Sequence, residues 1–291
     1  MTLGTMAVTL LPVTNSANIV YFGDNLAVLN LIPDSSIQLI YIDPPFNTGR
    51  EQQRSKVTTK RSDSGNRIGF KGERYETVKS TVLSYDDQFA NYWEFLEPRL
   101  EQAFRLLKNS GTLYLHLDYR EAHYAKVLLD ALFGPDCFLN EIIWAYDYGG
   151  KSKTRWPSKH DTILVYVKDP ASYYFDSESV DREPYMAPGL VTPEKVEKGK
   201  LPTDVWWHTI VSPTGKEKTG YPTQKPIGIL RRIIQASSKE GDTVLDFFAG
   251  SGTTGFVANE LGRRFILVDQ NSESIEVIKN RLPKDSYRFV S

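Results

Sequence analysis

Short apolar runs closed by acids, glycines or prolines alternate along this chain with longer stretches in which apolar residues recur every three or four positions. Leu39-Ile40-Tyr41-Ile42 is such a run, and it ends at Asp43-Pro44-Pro45-Phe46. Proline offers no ladder N–H and restricts the residue before it, so the pattern predicts a buried strand that stops abruptly. Thr243-Val244-Leu245 closing on Asp246, Phe265-Ile266-Leu267-Val268 closing on Asp269, and Asn18–Phe22 closing on Gly23-Asp24-Asn25 predict three more. Residues 113–117, 140–146 and 162–167 read as further strands. Phe89, Trp93, Leu96, Leu100, Phe104 and Leu107 fall at helical spacing and predict a helix burying one stripe in the core. Residues 26–32, 121–133 and Ser272–Arg281 are further helix candidates, and Gly134-Pro135-Asp136 punctuates the end of the second of these. Strands alternating with helices in this way predict an α/β fold with a mostly parallel sheet and helices on both faces.

In such sheets ligands bind beyond the C-terminal ends of the strands. Asp43, the Pro44 carbonyl and the Phe46 ring would be presented together there, two acceptors and one stacking face, which suits an exocyclic amine on a flat base. The segment from Asp246 through Phe247, Phe248, Ala249, Gly250, Ser251, Gly252, Thr253 and Thr254 to Gly255 reads as strand, glycine turn and helix. Gly250, Gly252 and Gly255 formally satisfy the dinucleotide fingerprint, with Asp269 near the spacing of its ribose-binding acid, so a nicotinamide or flavin oxidoreductase is a competing reading. Asp246 weighs against it, because it would face a pyrophosphate with like charge yet pair well with an ammonium group. S-adenosylmethionine carries an ammonium and a ribose but no phosphate. The C-terminal half also lacks strands to complete a nucleotide site, and the N-terminus can supply them. Read as a circle, the Gly turn and the strands ending near Asp269, Asp24 and Asp43 line one edge of one sheet.

These residues resemble a known family, the β-class DNA amino-methyltransferases, a permuted group in which the catalytic motif precedes the cofactor motif. The resemblance extends to Tyr221-Pro222-Thr223-Gln224-Lys225-Pro226, to Gly111-Thr112-Leu113-Tyr114-Leu115-His116-Leu117-Asp118 and to Lys159-His160-Asp161-Thr162-Ile163-Leu164, and covers nearly the whole chain. It implies a circularly permuted Rossmann-like fold and S-adenosylmethionine as cofactor. The catalytic set it implies is Asp43, Pro44, Pro45 and Phe46. The cofactor set is Asp246, Phe247, Phe248, Gly250, Ser251, Gly252, Thr253 and Thr254 around the methionine, Asp269 on the ribose hydroxyls, Asp24 near the adenine amine, and Thr223 and Lys225 at the methionine carboxylate. An initial Asp in the catalytic motif implies adenine N6 as target, with cytosine N4 the alternative. Intact Asp43, Pro44, Phe46, Gly250 and Gly252 argue against an inactive DNA-binding module.

Composition changes little. Length (291 residues) allows one large domain, and the net charge of −1 leaves any nucleic-acid surface local. Cys137 is the single cysteine, so no internal disulfide and no Cys-x-x-Cys metal site is expected. No metal set is expected at all, since methyl transfer from a sulfonium needs none. No apolar run reaches membrane-spanning length, and the expected location is the cytoplasm, on the nucleoid.

Local charge tells more. Between Arg50 and Lys79 nine basic residues stand against four acids. The expectation is a basic loop over 50–88, with Arg50, Arg54, Lys56, Lys60 and Arg61 on DNA phosphates. Lys151, Lys153 and Arg155, set among Gly149, Gly150 and Trp156, form a second expected DNA contact. Residues 1–168 would then be the catalytic half, 169–220 a target-recognition segment and 221–291 the cofactor-binding half. Double-stranded DNA is the expected partner. Many relatives in the resembled family are dimers, and the sequence leaves open both a homodimer and a cognate restriction endonuclease.

Overall fold

The computed structural model describes residues 18–46, 52–61, 67–68, 74–85, 92–149, 151–212 and 214–291, with those between 52 and 85 described by their backbone alone. In chain order the elements are β1 (Asn18–Phe22), α1 (Asn25–Leu29), β2 (Ile37–Ile42), β3 (Gln52–Arg61), β4 (Arg67–Ile68), β5 (Arg74–Tyr85), α2 (Tyr92–Leu106), β6 (Leu107–Leu117), α3 (Ala122–Phe133), β7 (Phe138–Ala145), β8 (His160–Val167), α4 (Pro193–Lys198), β9 (Val205–Trp207), α5 (Ile227–Ser237), β10 (Thr243–Asp246), α6 (Thr253–Glu260), β11 (Arg264–Asp269), α7 (Ser272–Arg281) and β12 (Tyr287–Val290).

Nine strands form one sheet in the order β12-β1-β11-β10-β2-β6-β8-β7-β9. The strands β1, β11, β10, β2 and β6 run parallel, and β8 lies antiparallel between β6 and β7. Two strands from the C-terminal end of the chain, β10 and β11, thus sit between two from its N-terminal end. Leu245 pairs with Ile40, and Phe22 with Asp269. The predicted adjacency follows: Asp43, Asp246 and Asp269 leave neighbouring parallel strands at the same edge.

Every residue of β2 is buried, as a strand covered on both faces requires. Ile40 and Ile42 pack with Leu96 and Leu100 of α2 and Leu129 of α3 on one face. Leu39 and Tyr41 point the other way, onto Ile229 and Ile233 of α5 and Val257 of α6. The helical stripe predicted from Phe89 onward is α2 from Trp93 to Phe104; Leu107 instead begins β6, and Phe89 lies outside the described residues.

One expectation is corrected. The stretch read as a basic loop over 50–88 contains a three-stranded antiparallel sheet, order β3-β5-β4, with β3 and β5 in register from Gln52 with Tyr85 to Arg61 with Tyr75. Its sequence lacks apolar alternation but carries β-branched and aromatic residues, among them Val57, Thr58, Thr59, Tyr75, Thr77 and Val78, which favour strands whether or not one face is apolar. Arg54, Lys56, Lys60 and Arg61 fall in β3; Arg50 lies outside the described residues. Farther on, the poorly periodic segment from 169 is fastened to α5 by Arg232 on Glu183 at 2.5 Å and by Gln235 on Asp181 at 3.1 Å.

Candidate active site

A cavity of about 570 Å³ opens at the C-terminal ends of β2, β10 and β11. It gathers Asp43, Pro44, Pro45 and Phe46 with Asp246, Phe247, Phe248, Gly250, Ser251, Thr253, Thr254 and Asp269, and with Thr223 and Lys225 from the segment before α5. The residues predicted as catalytic and almost all those predicted to hold a cofactor therefore meet in one space. Gly252 and Asp24 are the exceptions. At Gly252 φ is +70°, and a Cβ would come within 2.8 Å of Ile278 Cγ1, so this glycine lets the turn lie against α7. Asp24 caps α1 by accepting from Ala27 N at 3.0 Å, and its other oxygen pairs with Arg99 at 3.3 Å. Asp24 itself does not line the cavity, whereas its neighbour Asn25 and its partner Arg99 do.

Asp246 is buried at the end of β10. It accepts from Thr254 Oγ1 at 2.6 Å and from the Phe248 N–H at 3.0 Å. Burial pushes its carboxyl up to about 7, the hydrogen bonds from Thr254 and Phe248 pull it down, and the charges of Asp43 and Asp269 add to the rise. Asp269 accepts from Gly250 N and Asn271 N, each at 2.8 Å, so one acid fixes the glycine turn and also faces the cavity; burial raises its carboxyl above the usual range. Three carboxylates around one space favour a ligand that carries positive charge.

The corner of the cavity at Asp43 and Phe46 is built differently. Asp43 Oδ2 accepts from the Lys225 ammonium, whose Nζ also lies 5.3 Å from the centre of the Phe46 ring. Asp43 Oδ1 is buried and has no hydrogen-bond partner among the described residues. Behind it sits His116, fully buried, with Nδ1 at 4.0 Å from that oxygen and 2.8 Å from the Tyr41 hydroxyl. On its far side His116 Nε2 lies 3.3 Å from Asp161 Oδ2, and Tyr146 donates to Asp161 Oδ1 at 3.0 Å. Burial alone raises the Asp161 carboxyl, but the hydrogen bond and charge of His116, the charge of Lys225 and the hydrogen bond from Tyr146 together hold it below its ordinary value. A carboxylate on Nε2 favours the tautomer in which Nε2 donates and Nδ1 accepts from Tyr41.

Several wall residues escaped the sequence reading. Phe95 and Arg99 of α2 line the cavity, although that helix read as core alone. Arg99 donates to Asn25 Oδ1 and to the Phe95 carbonyl, both at 2.6 Å, with its guanidinium 4.1 Å above the Phe95 ring. The signal was there: an arginine four residues after Phe95, flanked by Leu96 and Leu100, belongs to a buried face and needs polar partners. Lys151, Lys153 and Arg155 are exposed on the turn between β7 and β8, apart from the cavity lining. Among the described residues no group of His, Cys, Asp and Glu could hold a metal ion, and no helix is long and apolar enough to cross a membrane.

A family described as "DNA methylase" matches residues 37–280. The chain is 33% identical over 269 residues to the "Type II methyltransferase M.HpaI" of Haemophilus parainfluenzae, covering 91% of this chain and 74% of that protein. It is 31% identical over 281 residues to the "DNA adenine methyltransferase YhdJ" of Escherichia coli strain K12, covering 94% and 85%. The fold matches the cytosine-N4-specific PvuII DNA methyltransferase with a TM-score of 0.63 at 16% identity, covering 94% of this chain and 89% of that one. It also matches the Thermus thermophilus protein TTHA0409, a putative DNA modification methylase complexed with S-adenosyl-L-methionine, with a TM-score of 0.57 at 20% identity over 94% and 98%.

Proposed function

The chain belongs to the DNA methylase family, and from that premise we propose the reaction in full: transfer of a methyl group to the N6 amine of an adenine turned out of duplex DNA. Methyl transfer to DNA is the activity of the family. S-adenosylmethionine is the cofactor, and when bound it supplies an electrophilic methyl group on a sulfonium. The cavity suits it by the chemistry of its donors: Asp246 for an ammonium, Lys225 for a carboxylate, Asp269 for ribose hydroxyls.

The observation that carries the proposal is Asp43 Oδ1, a buried acceptor without a partner among the described residues, placed with Phe46 in the same cavity as the glycine turn. An exocyclic base amine is a poor nucleophile because its lone pair is delocalised into the ring. Acceptors for both N–H groups, Asp43 and the Pro44 carbonyl, favour a pyramidal nitrogen and stabilise the positive charge that develops on it. Phe46 offers the extruded base a stacking face. The cavity holds amine and methyl in line, after which the proton leaves to Asp43 or water. Adenine is favoured by the Asp-Pro-Pro-Phe motif and by the name of a relative 31% identical to this chain.

The proposal extends to the surface and the partners. The basic strands β3 and β5 and the turn bearing Lys151, Lys153 and Arg155 would hold DNA phosphates, and residues 169–220 would read the target. The interleaving of β10 and β11 between β1 and β2 supports a permuted order of catalytic and cofactor halves, 1–168 and 221–291. A nucleoid location follows from the DNA substrate, and a cognate endonuclease from the type II name of a relative; the homodimer rests on the family resemblance. Expression in a host lacking adenine methylation, followed by sequencing with modified bases called, tests the reading. A single methylated motif supports it; unmodified DNA contradicts it.

A further inference from the structure

The Lys225 ammonium stands where the target base is proposed to seat: it hydrogen-bonds to Asp43 Oδ2, beside the unpartnered Oδ1 proposed for the amine, and lies 5.3 Å from the centre of the Phe46 ring on which the base would stack. A methylated amine in the act of forming is also a nitrogen carrying N–H groups and positive charge. Lys225 is held for this place. Its backbone carbonyl accepts from Thr253 Oγ1 at 3.1 Å, and that hydroxyl accepts from Arg281 Nη1 at 2.8 Å, so the glycine turn and α7 fix the lysine's main chain while its side chain reaches across to β2.

While that ion pair stands, Asp43 Oδ2 is occupied and the face of Phe46 is partly covered. A base stacking on Phe46 would meet this ammonium, so Lys225 has to move for the base to seat, and a lysine that leaves a buried carboxylate needs another anion. Among the described residues the other cation lining the cavity is Arg99, already engaged by Asp24, Asn25 and the Phe95 carbonyl. Lys225 is thus the cavity cation able to exchange one carboxylate for another. The cofactor brings a carboxylate on its amino-acid end, and the exchange keeps the lysine paired throughout.

We propose that Lys225 stands over Phe46 on Asp43 in the free enzyme and that the cofactor's carboxylate draws it off, so that the target base is admitted only after the cofactor is bound. This rests on the proposed function and deepens it. The two substrates are then coupled through one side chain, by differential binding to two positions of Lys225.

The test reads base extrusion directly, by permanganate oxidation of the thymine opposite the target adenine in a duplex carrying the mapped site. S-adenosylhomocysteine keeps the amino-acid carboxylate, while 5′-methylthioadenosine keeps the adenosine and lacks the amino acid. With wild-type protein the thymine becomes reactive when saturating S-adenosylhomocysteine is present, and stays protected with saturating methylthioadenosine or no cofactor. With Lys225→Met or Lys225→Gln it becomes reactive with no cofactor at all. Wild-type reactivity without cofactor, or equal reactivity with both compounds, overturns the proposal, and neither result needs a folded variant. Continued cofactor dependence in both variants overturns it as well. The underlying carboxylate assignment is read separately: Lys225→Met should lose roughly ten- to a hundredfold in affinity for S-adenosylhomocysteine and none for methylthioadenosine, the scale of a charge-assisted hydrogen bond.

Discussion

His116 Nε2 lies 3.3 Å from Asp161 Oδ2, with the imidazole fully buried directly behind the Asp-Pro-Pro-Phe corner. The pair comes from two neighbouring strands, β6 and β8, that run antiparallel. Removing either partner leaves a polar atom of the other unpaired, although Asp161 keeps Tyr146 and His116 keeps Tyr41. His116→Ala should cost roughly 1–3 kcal/mol for each buried polar atom left unpaired, here Asp161 Oδ2 and the Tyr41 hydroxyl, and Asp161→Ala a similar amount. Chemical denaturation measures both. The double variant should lose less than the sum, since the two residues share one interaction; strict additivity would show that the contact is not a stabilising one.

Asp246 predicts a pH dependence with a definite sign. Its folded-state pKa of about 7 stands above the ordinary 3.8 because burial disfavours the charged form. Stability from the protonated carboxyl is fully present below that ordinary value and is lost as pH rises through about 7. A bound ammonium favours the ionised form, so cofactor affinity should grow across the same rise. Thermal unfolding without cofactor should therefore show a falling midpoint as pH climbs toward neutrality, while the stabilising shift on adding cofactor increases. Asp246→Asn should flatten both trends, and an unchanged pair of curves would remove Asp246 from the cofactor's amino-acid end.

Asp269 and Asp43 should separate binding from chemistry. Asp269→Ala loses the acceptor proposed for ribose and also frees Gly250 N, so cofactor binding should weaken by on the order of 1.5–3 kcal/mol. Asp43→Ala should abolish methyl transfer while leaving cofactor affinity within roughly tenfold, since its acceptor acts on the amine as charge develops. Calorimetry with S-adenosylhomocysteine distinguishes the two variants. Equal loss of binding in both would mean that the corner and the glycine turn do not have separate roles.

The strand pair β3 and β5 replaces the expected loop but keeps its basic composition. Changing Arg54, Lys56, Lys60 and Arg61 to Ala should weaken DNA binding and flatten its salt dependence by about 0.9 in log–log slope for each phosphate no longer neutralised. The methylated motif should stay the same, because phosphate contacts position a protein and base contacts specify the site. A wild-type salt slope would leave this small sheet without a part in DNA binding.

What the sequence disclosed follows from how local its causes are. The end of β2 was legible because two prolines stop a strand, and α7 was found at its observed bounds because Asn271, its N-cap, and Pro283 beyond its end bracket it. The glycine turn could be read from spacing, though the part played by Gly252 could not, since Ile278 against it is a tertiary contact. The small basic sheet was missed because its strands declare themselves by β-branched residues and not by apolar alternation. Asp24 looked like a ligand for the cofactor and is first a helix cap, a use that Asp serves equally well. Nothing local could pair Lys225 with Asp43 across 182 positions; only the order of strands in the sheet brings them together.

The central claim is that this cavity methylates adenine at N6. Incubating the purified protein with unmethylated genomic DNA and methyl-labelled S-adenosylmethionine, then digesting to nucleosides, measures it most directly. The account predicts label in N6-methyldeoxyadenosine with wild-type protein and none with Asp43→Ala. Label in N4-methyldeoxycytidine would contradict the target, and transfer retained by Asp43→Ala would contradict the site.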